Sequence, residues 1–388
     1  MRFTGRTKHV AESPIGAYAH LLAQVPSSTP LLDMSQGAPG FPPAAVVSAR
    51  IAEAASQPDG GRYTPLLGLP HLRKAFAADL SGHYGGDVGA DDICITSGCN
   101  QAFCMVTSAL AEPGDDIILT LPYYFNHDMW LGLDGVRATY LRAAAGVIPS
   151  VEEAEELIGE RTRALVLVTP GNPTGAILDA DRLEGFADLA ANRGIVLIVD
   201  ETYRSFVPGG VAPHRLFDRP GWRGNVVSLH SFSKDFAIPG HRVGAVVGSP
   251  ELLREIAKLI DCVTICAPRL GQEAAHAGLT EGQAWRAEKV ADIAAKQKRF
   301  ERVMAERPGG FDLLSAGAYY GWVKHPFDDL TSDEVVRDLI VEQGILVIPG
   351  TAFGPDDDQM VRFSFANVEV DRLDELTPRL SAYAERRT

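Results

Sequence analysis

Lys234 lies in the run Leu229-His-Ser-Phe-Ser-Lys-Asp-Phe-Ala-Ile-Pro-Gly-His-Arg-Val-Gly244, just after an apolar stretch of strand length. A lone loop lysine is ordinarily a solvated charge. Here Ser231, Ser233 and Arg242 lie close by, two hydroxyls and a guanidinium suited to phosphate oxygens. A lysine in that company suggests a Schiff-base amine beside an anion cup. Asp200 closes the apolar run Ile195–Asp200. A carboxylate there is costly unless it meets a cation or hydrogen-bond donors, although taken alone it reads as a helix cap or loop residue. In Thr169-Pro-Gly-Asn-Pro-Thr-Gly175, Asn172 is either part of a plain turn or an amide that meets a ring oxygen. In Thr96-Ser97-Gly98-Cys99-Asn100-Gln101, a glycine precedes a helix, whose first N–H groups can face a phosphate.

These four stretches share a position: each begins where a predicted strand ends. Strands are predicted at Asp92–Thr96, Asp116–Leu121, Ala164–Thr169, Ile195–Asp200, Asn225–Leu229 and Val243–Gly248. Helices are predicted at Val46–Ser56, Asn100–Ala111, Ser150–Glu156, Asp179–Asn192 and Pro250–Leu259. The alternation implies a mainly parallel sheet covered by helices on both faces, with ligands beyond the carboxyl ends of its strands. After about Gly271 the pattern changes. One long helix, Glu273–Glu306, is expected to lead into Leu313–Lys324, Ser332–Gln343, Ile345–Pro349, Met360–Ala366 and a closing helix, Asp371–Ala384. The fold class is thus α/β, a large domain with a smaller α+β domain. The expected boundaries are 1–50 (N-terminal arm and part of the small domain), 51–271 (large domain) and 272–388 (small domain). Gln36–Pro43 reads as an irregular loop.

Composition removes several function classes. The 388 residues carry 36 Lys and Arg against 50 Asp and Glu, a net charge of −14, so nucleic acid is not the expected partner. No apolar run approaches membrane-spanning length, and no apolar segment follows the basic N-terminus as a secretory signal requires. Five cysteines without paired spacing suggest reduced thiols rather than a metal site, and a cytoplasmic setting is expected. No Gly-x-Gly-x-x-Gly follows an early strand, which counts against a nicotinamide dehydrogenase.

The ordered set Ser97-Gly98, Pro122-Tyr123-Tyr124, Gly171-Asn172-Pro173-Thr174-Gly175, Asp200-x-x-Tyr203, Ser231-x-Ser233-Lys234 and Arg242 resembles the class I/II aminotransferases. These are fold-type I enzymes that use pyridoxal 5′-phosphate (PLP), with a seven-stranded sheet in the large domain. The resemblance runs from about Ser13 to the C-terminal helix. It implies that Lys234 would hold PLP as an internal aldimine and later move the substrate proton. Asp200 would pair with the pyridine nitrogen, Asn172 and Tyr203 would hydrogen-bond the ring oxygen, and Tyr124 would stack on the ring. Ser97, Gly98, Cys99, Asn100, Ser231 and Arg242 would form the phosphate cup. Tyr63 resembles the tyrosine lent across a homodimer interface to the partner's phosphate, which makes the active site composite. Arg362 and Gly37 would hold the substrate α-carboxylate. His127 falls where some members place a histidine behind the aspartate.

The implied activity is transfer of an amino group from an L-amino acid to a 2-oxo acid. The same lysine, aspartate and arginine also serve β-elimination by a C–S lyase, or an amino-acid oxidase or hydroxylase. PLP-sensing regulators add a basic helix-turn-helix domain, and this acidic chain begins almost directly in the catalytic region. Where one aspartate-specific subgroup carries a second arginine, the nearest alignment here gives Cys262 beside Asp261, with Arg269 late. That disfavours a dicarboxylic donor, and Asp261 near the pocket would favour a cationic side chain.

Overall fold

A computed structural model describes residues 1–388 except Arg2, Ser28, Val211, Pro213 and Thr388. The six predicted strands are present as β2 (Ile93–Thr96), β3 (Asp116–Leu121), β5 (Thr162–Val168), β6 (Val196–Asp200), β7 (Val226–Ser231) and β8 (Gly244–Val247). β1 is the short Leu32–Asp33, and β4 (Arg137–Arg142) completes the large sheet. The sheet runs β2-β8-β7-β6-β5-β3-β4. β8 is antiparallel to both neighbours, and the pairs from β7 to β4 are parallel. β4 has no counterpart among the predicted strands because it forms one edge: of its residues only Leu141 is buried. An edge strand needs no continuous apolar run.

Alternate residues of the central strands feed two separate cores. Ile118, Leu165, Leu167, Leu197 and Val199 pack on one face with the helices Pro70–Tyr84, Ala180–Arg193 and Arg269–Glu281. Ile117, Leu119, Ala164, Val166 and Ile198 pack on the other with Cys99–Leu110 and Pro250–Val263. The period of two along each strand makes this division unavoidable. The helix Pro70–Tyr84, not predicted from the sequence, buries Leu72, Phe76, Leu80 and Tyr84 at four-residue spacing, the stripe of a helix lying on a sheet.

The same period sends Glu201 to the face opposite Asp200. Its buried carboxylate accepts from Ser228 Oγ at 2.6 Å, lies 3.0 Å from His214 Nε2, and meets the Tyr84 hydroxyl. These partners satisfy a charge that burial would otherwise penalise, and they pin the strand end that carries Asp200.

The expected single helix Glu273–Glu306 is two helices, Arg269–Glu281 and Gln283–Ala305. They part at Gly282, where a Cβ would sit 2.7 Å from the Gly278 carbonyl oxygen. The second helix packs through Ile293, Phe300, Val303 and Met304 into another core. There β9 (Asp312–Gly317), β10 (Tyr320–Lys324), β12 (Ile348–Pro349) and β13 (Met360–Ser364) form an antiparallel sheet in the order β12-β13-β10-β9. β1 pairs in parallel with β11 (Ile345–Leu346), which ties the segment before Gly37 to this second group of elements. Among the described residues no helix is long and apolar enough to cross a membrane.

Candidate active site

A cavity of about 190 Å³ opens beyond the carboxyl ends of β5, β6 and β7. Asp200 ends β6, Ser231 ends β7, and Asn172 lies four residues past the end of β5. Of the residues singled out from the sequence, Gly37, Cys99, Asn100, Tyr124, Asn172, Asp200, Tyr203, Ser231, Lys234, Arg242 and Arg362 line this cavity. Ser97 does not: its N–H donates to Gln101 Oε1 at 2.6 Å. Tyr63 also stands apart and is 73% exposed. Asp261 and Cys262 are exposed near the end of the helix Pro250–Val263 and do not line the cavity. They therefore lend no support to a cationic side-chain subsite in this chain's own cavity, because the helix continues through Val263 and carries both to the surface.

Lys234 is half-buried, and its Nζ donates to the Gly37 carbonyl oxygen at 2.5 Å. Burial first, then the charges of Arg242 and Arg362, lower its pKa to about 8. An amine so placed carries far more of its nucleophilic neutral form near neutrality than a surface lysine. Asp200 is 4% exposed. Burial alone would raise its carboxyl. His127 Nε2 at 3.4 Å from Oδ2 and the Thr202 N–H at 2.9 Å from Oδ1 more than offset that and hold it below the usual carboxylate range. The Cys99 thiol adds a weaker contact at 3.6 Å. His127 is itself fixed, stacked on Phe103 with ring centroids 3.9 Å apart and edge-on to Tyr124. It is buried directly behind the aspartate.

On the phosphate side, Gly98 has φ +88°, and a Cβ there would lie 2.3 Å from Arg242 Nη2. Only glycine lets the guanidinium come this close to the start of the helix Cys99–Leu110. The first-turn N–H groups of a helix have no intrahelical acceptor, so Arg242, Ser231 and that helix end converge as donors suited to an anion.

Arg362, from β13, is 1% exposed. It lies between Tyr320 and Phe353, its Cζ 4.7 and 4.8 Å from their ring centres. It donates to Asn172 Oδ1 at 2.9 Å and to the Ser35 carbonyl, while its buried Nε has no partner among the described residues. A buried guanidinium with an unused donor is incomplete without an anionic ligand. Tyr320 and Thr202 line the cavity without having been marked from the sequence. The Tyr320 hydroxyl is 2.5 Å from that of Tyr203, and a Cβ on Gly37 would collide with it at 1.9 Å.

These residues fit PLP. A half-buried amine of lowered pKa suits its aldehyde and an ionised buried carboxylate suits its ring nitrogen. The cup that excludes a Cβ at Gly98 suits its phosphate. The fold and the site together define a PLP-binding enzyme of the α/β transferase type.

Residues 29–380 match the family model for aminotransferase class I and II. The chain is 29% identical to an aspartate aminotransferase of Streptomyces avermitilis, covering 91% of this chain and 90% of that one. It is 28% identical to aromatic-amino-acid aminotransferase 2 of Thermococcus litoralis, covering 82% of each. Among solved structures, an aminotransferase from Mycobacterium tuberculosis superposes with a TM-score of 0.90 at 26% identity, over 100% of both chains. The chain belongs to the class I and II aminotransferase family, and it is a PLP-dependent aminotransferase.

The pKa of Lys234 gives an expectation for cofactor loading. Below about 8 the amine is protonated and cannot attack an aldehyde; above it the amine is neutral. Attachment of PLP to the apoenzyme should therefore quicken by about tenfold per pH unit up to pH 8 and then level off. Stopped-flow absorbance from pH 6 to 9.5 measures this, and a flat profile would contradict the depressed lysine.

Proposed function

We propose that this aminotransferase takes its amino group from an L-amino acid with an uncharged side chain, and that each active site is completed by the second subunit of a homodimer. The observation that carries the donor assignment is electrostatic. Among the described residues lining the cavity the cations are Lys234, Arg242 and Arg362. Each is engaged by the cofactor or by the one carboxylate that every amino acid carries. A second carboxylate would meet no counter-charge among this chain's own described lining residues, and burial without one is costly. The remaining wall brings Ile15, Tyr124, Phe125 and Tyr320, with Asn100 Oδ1 3.4 Å from the Tyr124 hydroxyl. Of the activities named for the relatives, the aromatic one suits this wall better than the aspartate one.

When bound, PLP supplies an aldehyde that takes up the amino group and a ring that draws electron density from Cα. The chain's own residues do the rest. Lys234 Nζ is the amine that would hold the cofactor's aldehyde in the resting enzyme. Freed by the incoming substrate, Nζ would take up the proton from the substrate Cα and later give it back, serving as base and then as acid. Asp200, backed by His127, would keep the ring nitrogen protonated. Asn172 and Tyr203 would hydrogen-bond the ring oxygen, and Tyr124 would cover the ring. Ser231, Arg242 and the N–H groups of Cys99 and Asn100, with Ser97 and Gly98 shaping the turn, would hold the phosphate. Arg362 meets the substrate carboxylate with a planar fork, and the backbone of Gly37 closes over it. With 51–271 as the large domain and the flanking segments as the small one, Arg362 and Gly37 belong to the small domain, and its closure would exclude water.

The dimer rests on Tyr63. It is exposed and does not reach its own cavity. The same face exposes Val263 and Ile265, 61% and 41% accessible. The Thr64 N–H contact to Cys266 Sγ and the Arg269 bond to the Arg62 carbonyl join the two segments. Exposed apolar side chains grouped in this way support a protein interface here. Sparse, unpaired cysteines support a cytoplasmic setting.

The experiment is a donor panel of aromatic, aliphatic, amide, basic and acidic amino acids against one 2-oxo acid, with wild type and Arg362→Ala. Uncharged donors should exceed aspartate and glutamate by at least about tenfold in kcat/KM, one ion-pair's discrimination. Arg362→Ala should lower kcat/KM by about 10²- to 10³-fold for every donor, mostly through KM, from loss of a buried charge-assisted contact. Preference for aspartate would refute the donor class and leave the aminotransferase standing. Unchanged KM in the variant would refute the clamp.

A further inference from the structure

A second cluster of ligating side chains lies away from the cavity, where the helices Pro70–Tyr84 and Arg269–Glu281 pack together. His71 stands in the first turn of one helix. Glu273 and His276 are three residues apart on the other, so they share a face. His71 Nε2 lies 3.3 Å from Glu273 Oε2. The rings of His71 and His276 meet edge to face, centroids 4.6 Å apart at 84°. One ligand atom from each of the three residues falls within 4.8 Å of the others. Ligand atoms around a tetrahedral zinc with bonds of about 2.0–2.2 Å stand about 3.3–3.6 Å apart. One pair is already at that spacing, and the third ligand atom lies within 4.8 Å of both. Nδ1 of His276 is buried and has no hydrogen-bond partner among the described residues, so the ring keeps an unused nitrogen.

A histidine–carboxylate ion pair at the surface contributes little, and that pair alone accounts for neither the third residue nor its unpartnered nitrogen. We propose that His71, Glu273 and His276 form a binding site for a divalent transition-metal ion of the zinc type, cross-linking the two helices. Two imidazoles and one carboxylate select zinc and its neighbours over magnesium or calcium, which prefer oxygen-only sets. Three protein ligands leave a coordination position for water. The site is separate from amino transfer: none of its residues lines the cavity. The segment it braces leads from Tyr63 into the helix that begins at Pro70, so the metal would stiffen the proposed dimer face.

The test uses tag-free holoenzyme passed over a chelating resin. It is titrated with zinc by calorimetry and with cobalt(II) by absorbance, and melting is followed with and without zinc. The expected result is one ion per chain at micromolar affinity, a higher melting temperature with zinc, and cobalt bands without sulfur charge transfer. His71→Ala, His276→Ala and Glu273→Gln should each weaken binding by at least about tenfold. Turnover should stay unchanged, and Cys262→Ser should bind as wild type does. Absence of binding at 100-fold excess zinc, equal binding by the His71→Ala/His276→Ala double variant, or a cobalt–thiolate band removed by Cys262→Ser would each overturn the assignment.

Discussion

Lys234→Ala removes transamination, with kcat falling by at least about 10⁴-fold, the upper range for loss of a positioned proton-transfer group. The loss is this large because no other group in the cavity can take over. Among the described residues lining it, Lys234 carries the only amine. His127, the nearest imidazole marked from the sequence, lies behind Asp200 and is clamped between Phe103 and Tyr124. The phosphate cup is untouched, so PLP should still bind, but without covalent attachment. Borohydride reduction followed by peptide mass mapping should mark Lys234 in the wild type and leave the variant unmodified. Small primary amines should restore part of the turnover by entering the space the side chain vacates. A variant within about tenfold of wild type would remove Lys234 from the chemistry.

Asp200→Asn tests the other half of the site. The amide preserves shape and can still meet the Thr202 N–H, but it carries no charge. Only an anion stabilises a protonated ring nitrogen in so dry a place, and Asp200 is held ionised there by His127 and Thr202 against the effect of burial. Turnover should fall by about 10³-fold, the scale of removing one preorganised electrostatic partner. Covalent PLP on Lys234, read by reduction and mass, should persist, which separates a weakened reaction from a lost cofactor. Asp200→Glu, which restores the charge at a displaced position, should recover part of the activity. An Asn variant as active as wild type would show that the charge is not used.

Much of this site was legible because its parts sit where chain grammar is strongest. Apolar strands announce their ends, and Asp200, Asn172, Ser231 and Lys234 all lie at or just beyond them. Gly98 was legible as the glycine before a helix, and the structure supplies its reason in the close approach of Arg242. What escaped the sequence depends on contacts between distant segments. Tyr320 belongs to β10, yet its hydroxyl meets Tyr203 and its ring meets Arg362; no local spacing encodes that meeting. β4 escaped because one apolar position suffices at a sheet edge. The break at Gly282 is hidden inside a run whose helical character is continuous on either side, so the sequence reading joins two helices into one. Asp261 and Cys262 were drawn toward the pocket by alignment alone, whereas the helix Pro250–Val263 carries them to the surface.

The most direct measurement is a half-reaction. Holoenzyme is mixed with a good donor and no 2-oxo acid, while cofactor absorbance and released 2-oxo acid are followed together. The account predicts one molecule of 2-oxo acid per active chain and then a halt, with the original spectrum returning once a 2-oxo acid acceptor is added. Continued release of ammonia, pyruvate or peroxide without an acceptor would contradict it, because the same lysine, aspartate and arginine would then be serving elimination or oxidation instead of amino transfer.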